Sequence, residues 1–343
     1  MNIFENKSLQ KHNSLALAAN ARYFVQIEQQ AEIPEALAWA EARGLPVLVL
    51  GGGSNLVLAA DFQGLVLHIA LKGVQSELTS TDTVDVLVAA GENWDELVKQ
   101  CINNGWHGLE NLISIPGCAG AAPIQNIGAY GVELSSVLKS VRGWNCVSSR
   151  FETLSAEQCL LAYRDSIFKG QLKDKFIITD ICLSLSSEFN PQIDYPALKH
   201  ALGIVDSKQG IPKLDARTVA NAVATVRASK LPDPKELPNA GSFFKNPIVS
   251  TTKFEQLKTR YPELPHWPMP DGTVKLAAAW LVDSAGLKGT RQGQVGIHQH
   301  QAIVLVNHGE ASGADVVAFA QSVSTRVEAI FGLQLEIEPR VYQ

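Results

Sequence analysis

The apolar run Pro46-Val47-Leu48-Val49-Leu50 leads directly into Gly51-Gly52-Gly53-Ser54-Asn55 and then into a second apolar run, Leu56-Val57-Leu58. Glycines let backbone N–H groups approach an anion without a Cβ in the way, so the turn is either a phosphate cradle or a tight reversal. It is a poor dinucleotide fingerprint. That motif opens a helix and needs a third glycine where Leu56 stands. Residues 23–27, 34–43 and 46–50 read as strand, helix and strand.

The stretch from Gly105 to Gly131 carries six glycines and two prolines, too many for an ordinary helix, yet it is too apolar for a disordered linker. Within it, Ile115 to Gly131 contains no charge and offers the amides of Gln125 and Asn126. Such a surface suits a flat, hydrogen-bonding heterocycle, and a buried structural loop is the alternative. Upstream, residues 84–90 form a β-branched run. Trp94, Leu97, Val98, Cys101 and Ile102 then recur at helical spacing.

Further along, 141–147 and 176–185 read as strands flanking a helix that starts at Ser155, where Ser155 and Gln158 have capping-box spacing. Residues 186–210 read as a connection. A helix over 215–229 comes next, with Val219, Ala222, Val223 and Val226 on one face. The pattern predicts a last helix through Val316, Phe319, Val323, Val327 and Ile330, stopped by Gly332, and a final strand at 333–337. A strand there would put Glu336 and Glu338 on one side.

At 343 residues the chain has room for about two domains. A composition of 46% apolar and 18% charged residues predicts a globular fold. The formal net charge of −5 provides no basic field for nucleic acid or an anionic membrane. The five cysteines form no metal-ligand spacing and read as reduced thiols. No leader-like start or long apolar span is seen, so a cytoplasmic protein without a membrane anchor is expected. His298 and His300 lack a clear third ligand, and no metal is expected. Ser166 and Lys169 match a penicillin-recognising spacing, but the partner motifs are missing. Ser242 follows a glycine without the esterase elbow, which disfavours serine hydrolysis and leaves a proton-donor role open.

Taken in order, seven motifs resemble the UDP-N-acetylenolpyruvoylglucosamine reductase family, in its longer, type I branch. They are the Gly51 to Asn55 turn, Ile115-Pro116-Gly117, the run from Pro123 to Gly131, Tyr163-Arg164-Asp165-Ser166-Ile167-Phe168-Lys169, Lys230-Leu231-Pro232-Asp233-Pro234, the run from Ala240 to Pro247, and Leu335-Glu336-Ile337-Glu338. The resemblance spans nearly the whole chain. It implies an α+β protein: an FAD-binding domain of the PCMH/vanillyl-alcohol-oxidase type in two lobes over residues 1–205, then a smaller α+β substrate-binding domain over 206–343 whose last strand returns to the active site. It further implies non-covalent FAD, NADPH as hydride donor, enolpyruvyl-UDP-GlcNAc as substrate and a monomer. Another FAD-dependent oxidase of the same fold is the alternative.

By carry-over, Gly51, Gly52, Gly53, Ser54, Asn55, Gly117, Gly120, Gln125, Asn126 and Gly128 would hold FAD. Arg164 would be the cation that stabilises charge on the substrate carboxylate, Glu338 its acidic partner and Ser242 the proton donor to C2, with Lys245 one candidate to polarise it. Tyr195, Lys230, Asn246, Trp267 and Gln301 match positions for substrate contact. Two departures stand out. Ala121-Ala122 replaces a serine pair, and Trp267 stands in a covering loop, residues 261–273, where the family pattern has tyrosine.

Overall fold

The computed structural model describes residues 1–204 and 214–343, and these form two units. The first comprises Met1–Lys7, Ala21–Gly52 and Gln63–Ser229; the second, Ser8–Asn20, Gly53–Phe62 and Lys230–Gln343. The second unit thus takes two short pieces of the N-terminal sequence. The domain boundary expected between 205 and 206 lies outside the described residues.

The first unit holds two sheets. One has the order Ile3–Ser8, Asn20–Ile27, Phe62–Ile69, Val47–Leu50, with the last two parallel. The expected opening of strand, helix (Glu32–Glu41) and strand is present, with Phe62–Ile69 inserted between its two strands. Leu65, Val66, Leu67 and Ile69 are buried, as a strand covered on both faces requires.

The other sheet is antiparallel: Arg150–Ser155, Leu138–Asn145, Phe176–Ser186, Thr83–Ala89, Val74–Leu78. Val84, Val86 and Val88 alternate inward by the period of two, opposite Leu185, Leu183 and Ile181. Helix Trp94–Asn103 is capped by Asn93, whose side chain accepts from the Glu96 N–H. It buries Trp94, Leu97, Val98 and Cys101 in the same core as Val219, Ala220 and Val223 of helix Ala216–Lys230.

In the second unit, strands Asn239–Ser242, Val304–Asn307, Val295–Ile297 and Arg291–Gln292 form one sheet, and Ile248–Val249, Val274–Leu276 and His266–Pro268 another. Helix Gly313–Phe331 packs Val316, Phe319, Val323 and Val327 into this unit's core. Its Ser312/Asp315 capping box starts it, and Gly332, at φ 63°, ends it in the left-handed conformation that glycine adopts freely.

Three expectations are corrected. No helix follows Ser155: the capping-box bonds between Ser155 and Gln158 form, but the next residues are turns and Leu160 sits at φ 48°. The region 186–204 is more than a connection, because helix Pro196–Ala201 buries Leu198 in the first core. The final strand is Arg340–Tyr342 rather than 333–337, and it pairs in parallel with Leu56–Leu58. That pairing also rules against a dinucleotide fingerprint, since a strand, not a helix, follows the glycine turn.

Candidate functional site

In the first unit, Gly51 and Gly52 lie directly against the Gly117-Cys118 turn. A Cβ on Gly52 would fall 2.7 Å from Gly117 Cα, and one on Gly51 would fall 2.4 Å from Cys118 Sγ. Gly120 is equally confined, 2.5 Å from the Ala90 Cβ by the same measure. Two stretches of bare backbone therefore meet where side chains would hold them apart, a donor set that fits the diphosphate of a dinucleotide cofactor. Gly53 and the partly buried Ser54 and Asn55 continue this turn into the second unit.

The uncharged loop folds as 3-10 turns, Glu110–Leu112 and Ala119–Gln125, then a short hairpin of Gly128–Ala129 with Val132–Glu133. Gln125 is half-buried. Asn126 is fully buried at φ 45°; its amide donates to Glu133 Oε2 (2.7 Å) and Ala162 O (3.2 Å), and its oxygen accepts from Ser135 N (2.9 Å). Its side chain is committed to holding the loop together.

The Tyr163 to Lys169 motif folds onto this loop. Ser166 Oγ donates to Ile124 O (2.6 Å), and Arg164 Nη2 donates to Gly128 O (3.1 Å). Arg164 itself sits at φ 53°, in a turn closed by mutual backbone bonds between Ala162 and Asp165, and Lys169 Nζ donates to the Arg164 carbonyl. A guanidinium can in general grip a carboxylate bidentately, and these bonds restrict where this one sits.

The first unit also holds Tyr130, Tyr195 and Arg227, of which sequence reasoning picked out Tyr195 and passed over Arg227. Tyr130 meets Tyr195 edge to face at 5.3 Å between centroids, and Asn111 Nδ2 donates to Tyr130 O (2.9 Å). Arg227, on helix Ala216–Lys230, donates from Nε to Ser114 O (3.0 Å). Burial lowers the pKa of its guanidinium from the ordinary value although the residue keeps some exposed surface; the Tyr130 phenol opposes this, and the like charge of Arg164 reinforces it. Burial likewise raises the Tyr130 phenol, against the pull of Arg227. Arg227 escaped notice because it flanks a core-facing stripe, and spacing alone does not separate such a residue from a surface arginine.

In the second unit, Ser242 ends the strand Asn239–Ser242, opposite Val304. The buried Phe243 and Phe244 anchor the chain beyond it: Phe243 N donates to Ile303 O (2.6 Å), and Phe243 O accepts from Glu338 N (2.9 Å). Ser242 and Glu338 are thus carried on neighbouring backbone. Lys245 pairs with Glu336, which is 69% exposed, so its charge goes to that carboxylate rather than to Ser242. Glu338 is half-buried whereas Glu336 is exposed, and no strand runs over 333–337. Asn246 Oδ1 accepts from Ala278 N (2.9 Å). Trp267 is 47% exposed with Lys275 Nζ over its ring; Lys230 and Gln301 are partly buried.

His298 and His300 stand edge to face, and among the described residues no cluster of three or more His, Cys, Asp or Glu could hold a metal. All five cysteines are free. Burial raises the Cys101 thiol to about 12 and that of Cys159 to about 11, which removes their nucleophilicity near neutrality.

Residues 21–154 match the FAD binding domain family, and residues 233–342 match the UDP-N-acetylenolpyruvoylglucosamine reductase C-terminal domain. A UDP-N-acetylenolpyruvoylglucosamine reductase of Paraburkholderia xenovorans is 45% identical, covering 96% of this chain and 95% of its own. That of Pseudomonas aeruginosa is 44% identical, over 98% of each.

The chain belongs to the UDP-N-acetylenolpyruvoylglucosamine reductase family.

The crystal structure of a family member from Thermus caldophilus covers 100% of this chain and 98% of its own at a TM-score of 0.67 and 23% identity, which shows the shared fold. As the family requires, the fold is α+β, with an FAD-binding domain followed by the family's C-terminal domain.

Proposed function

We propose that the chain is the NADPH-dependent flavin reductase that converts UDP-N-acetyl-3-O-(1-carboxyvinyl)-glucosamine to UDP-N-acetylmuramate, a step of peptidoglycan precursor synthesis. The observation that carries this reading is likeness to relatives of that name along 95–98% of both chains. Bound non-covalently, FAD supplies the relay that accepts hydride from NADPH and returns it to C3 of the enolpyruvyl ether.

The backbone of Gly51, Gly52, Gly53, Gly117, Gly120 and Gly128, with Ser54, Asn55 and Gln125, would hold that cofactor. Asn126 acts from behind by keeping the loop in shape. Hydride arrival at C3 leaves a carbanion at C2, conjugated with the carboxylate, so negative charge develops on the carboxylate oxygens. Arg164 faces that charge as a fixed cation. Glu338 shares a proton with the developing aci-carboxylate. Ser242 delivers the proton to C2, and because an alcohol is a weak acid it needs a polarising neighbour other than Lys245. Tyr195, Lys230, Asn246, Trp267 and Gln301 would hold the UDP-sugar.

We place the protein in the cytoplasm as a monomer. No helix among the described residues is long and apolar enough to cross a membrane, and the net charge of −5 gives no reason to expect nucleic acid as a partner. The decisive experiment tracks flavin absorbance anaerobically through one equivalent of NADPH and then the enolpyruvyl-UDP-sugar. Bleaching and then recovery is expected. Recovery only on admitting air would replace the reductase with an oxidase.

A further inference from the structure

We propose that a cleft on one face of the second unit's four-stranded sheet takes the adenosine 2′-phosphate end of NADPH, with Arg291 and His308 gripping the phosphate. NADPH as the reductant rests on the function proposed above; the cleft itself rests on geometry within the second unit.

The cleft has a volume of about 340 Å³, and its walls include Arg291, His298, His300 and His308 around the apolar Leu237 and Val306. Ligand pockets run from ~300 to ~1,000 Å³, so this one has room for a single nucleoside phosphate but not for a whole dinucleotide or nucleotide-sugar. Pairing across the sheet sets Arg291 opposite Gly296, Gly296 opposite Val306, and Ser242 opposite Val304. Paired residues share a face, as do alternate residues of one strand, so Arg291, Val306 and Ser242 lie on the same side. Three strand spacings and two residues of rise separate Ser242 from Arg291, roughly 16 Å. An extended dinucleotide can span such a gap, with its reacting end near the serine and its phosphate at the arginine.

Gly296 shapes the seat. A Cβ there would fall 3.1 Å from His308 Nε2 and 3.4 Å from Arg291 Cβ, so the imidazole and the arginine stem close over bare backbone. One turn holds both: Arg291 donates from Nε to Gly293 O (2.7 Å) and from Nη2 to Gln294 Oε1 (2.7 Å), and His308 N donates to Gln294 O (2.9 Å). Among the described residues no carboxylate pairs with Arg291, whose Nη1 is left uncommitted. No Asp or Glu lines the cleft. The imidazoles are no metal site either, since no cluster among the described residues could hold an ion. A fixed guanidinium and imidazole donors beside an apolar floor, with no acid to repel an anion, match a nucleoside carrying a phosphate monoester. NADPH has that group, and the UDP-sugar, whose two phosphates are both bridged, does not.

The test is anaerobic stopped-flow bleaching of the flavin-loaded protein by NADPH and by NADH, which lacks the 2′-phosphate. In Arg291→Leu, loss of a charge-assisted contact should raise the NADPH concentration for half-maximal bleaching ~10–100-fold, with the limiting rate and the NADH dependence within about two-fold of wild type. His308→Gln should move NADPH in the same direction by less. In titration calorimetry 2′-AMP should bind wild type and weaken at least ~10-fold in Arg291→Leu, while 5′-AMP should not respond. Arg291→Lys keeps the charge but loses the fork, so it should fall between Leu and wild type, and it carries the test if the Leu variant does not fold.

Equal losses with NADPH and NADH, or an unchanged NADPH dependence in both Arg291 variants, would overturn the seat while leaving the reductase standing. Inorganic phosphate binding as tightly as 2′-AMP, with NADPH unaffected by the variants, would overturn it in favour of the free anion. A loss confined to UDP-GlcNAc would overturn it in favour of the sugar nucleotide. If neither dinucleotide bleaches the wild-type flavin, the reductase reading falls by itself, and the 2′-AMP titration still decides the cleft.

Discussion

The contact between the two glycine turns makes a quantitative demand. In Gly52→Ala, the new Cβ falls 2.7 Å from Gly117 Cα, 3.1 Å from Gly117 C and 3.3 Å from Cys118 N. All three are backbone atoms, so no side chain can rotate away, and the turns must separate by about 1 Å to restore ordinary contact. Overpacking of this kind costs ~1–3 kcal/mol, offset by the ~0.4–1 kcal/mol that alanine gains by restricting the unfolded chain. The net loss is about 1–2 kcal/mol. At roughly 2–4 °C per kcal/mol for a unit of this size, the flavin-free protein should melt about 2–8 °C lower. If these turns hold the FAD diphosphate, the same displacement should weaken FAD at least ~10-fold, read from quenching of flavin fluorescence. Gly170→Ala is the control, since its Cβ would meet nothing closer than 3.8 Å and its φ is not positive. It should be neutral or slightly stabilising. A Gly52→Ala protein with wild-type melting temperature and FAD affinity would refute the claim that the turns meet rigidly.

Ser242→Ala should still let NADPH bleach the flavin at a near-normal rate while slowing its reoxidation by substrate ~100-fold or more, in stopped-flow absorbance; equal losses in both half-reactions would remove its role as proton donor. Glu338→Gln should show the same split, whereas Glu336→Gln, which loses only a partner for Lys245, should turn over within about two-fold of wild type by steady-state assay. The raised thiol of Cys101 binds a proton in the native state that the unfolded chain releases above pH 9, so stability should fall between pH 9 and about 12, by at most ~1.4 kcal/mol per pH unit. Urea titrations at pH 8, 9.5 and 10.5 would measure that fall, and Cys101→Ala should remove its share; an unchanged pH dependence in the variant would assign the fall to other groups.

Local pattern served well where an element is decided by its own residues. Helix Trp94–Asn103 and helix Gly313–Phe331 could be read because each sets an apolar stripe between a side-chain cap and a stop, and both features act within a few residues. The same reasoning misread Ser155, although its capping-box bonds exist, because continuation was settled elsewhere: the chain turns so that Arg164 reaches Gly128 O and Ser166 reaches Ile124 O. It also misplaced the last strand. Leu333 and Leu335 alternate with exposed Gln334 and Glu336 as a strand would, but a strand is defined by its partner, and the partner, Leu56–Leu58, lies nearly three hundred residues away and takes Arg340–Tyr342 instead.

The proposed site obeys the same division. Gly51, Gly52, Gly117 and Arg164 stand in motifs dense enough to be recognised, because close backbone approach and a fixed cation restrict many adjacent positions at once. Arg227 has no such signature. Its place depends on Ser114 adopting a left-handed turn, on Asp95 holding that turn and on Lys99 holding Asp95, three contacts that are individually ordinary in the sequence. A partly buried cation supported through such a chain becomes visible only when every donor and acceptor around it has been assigned.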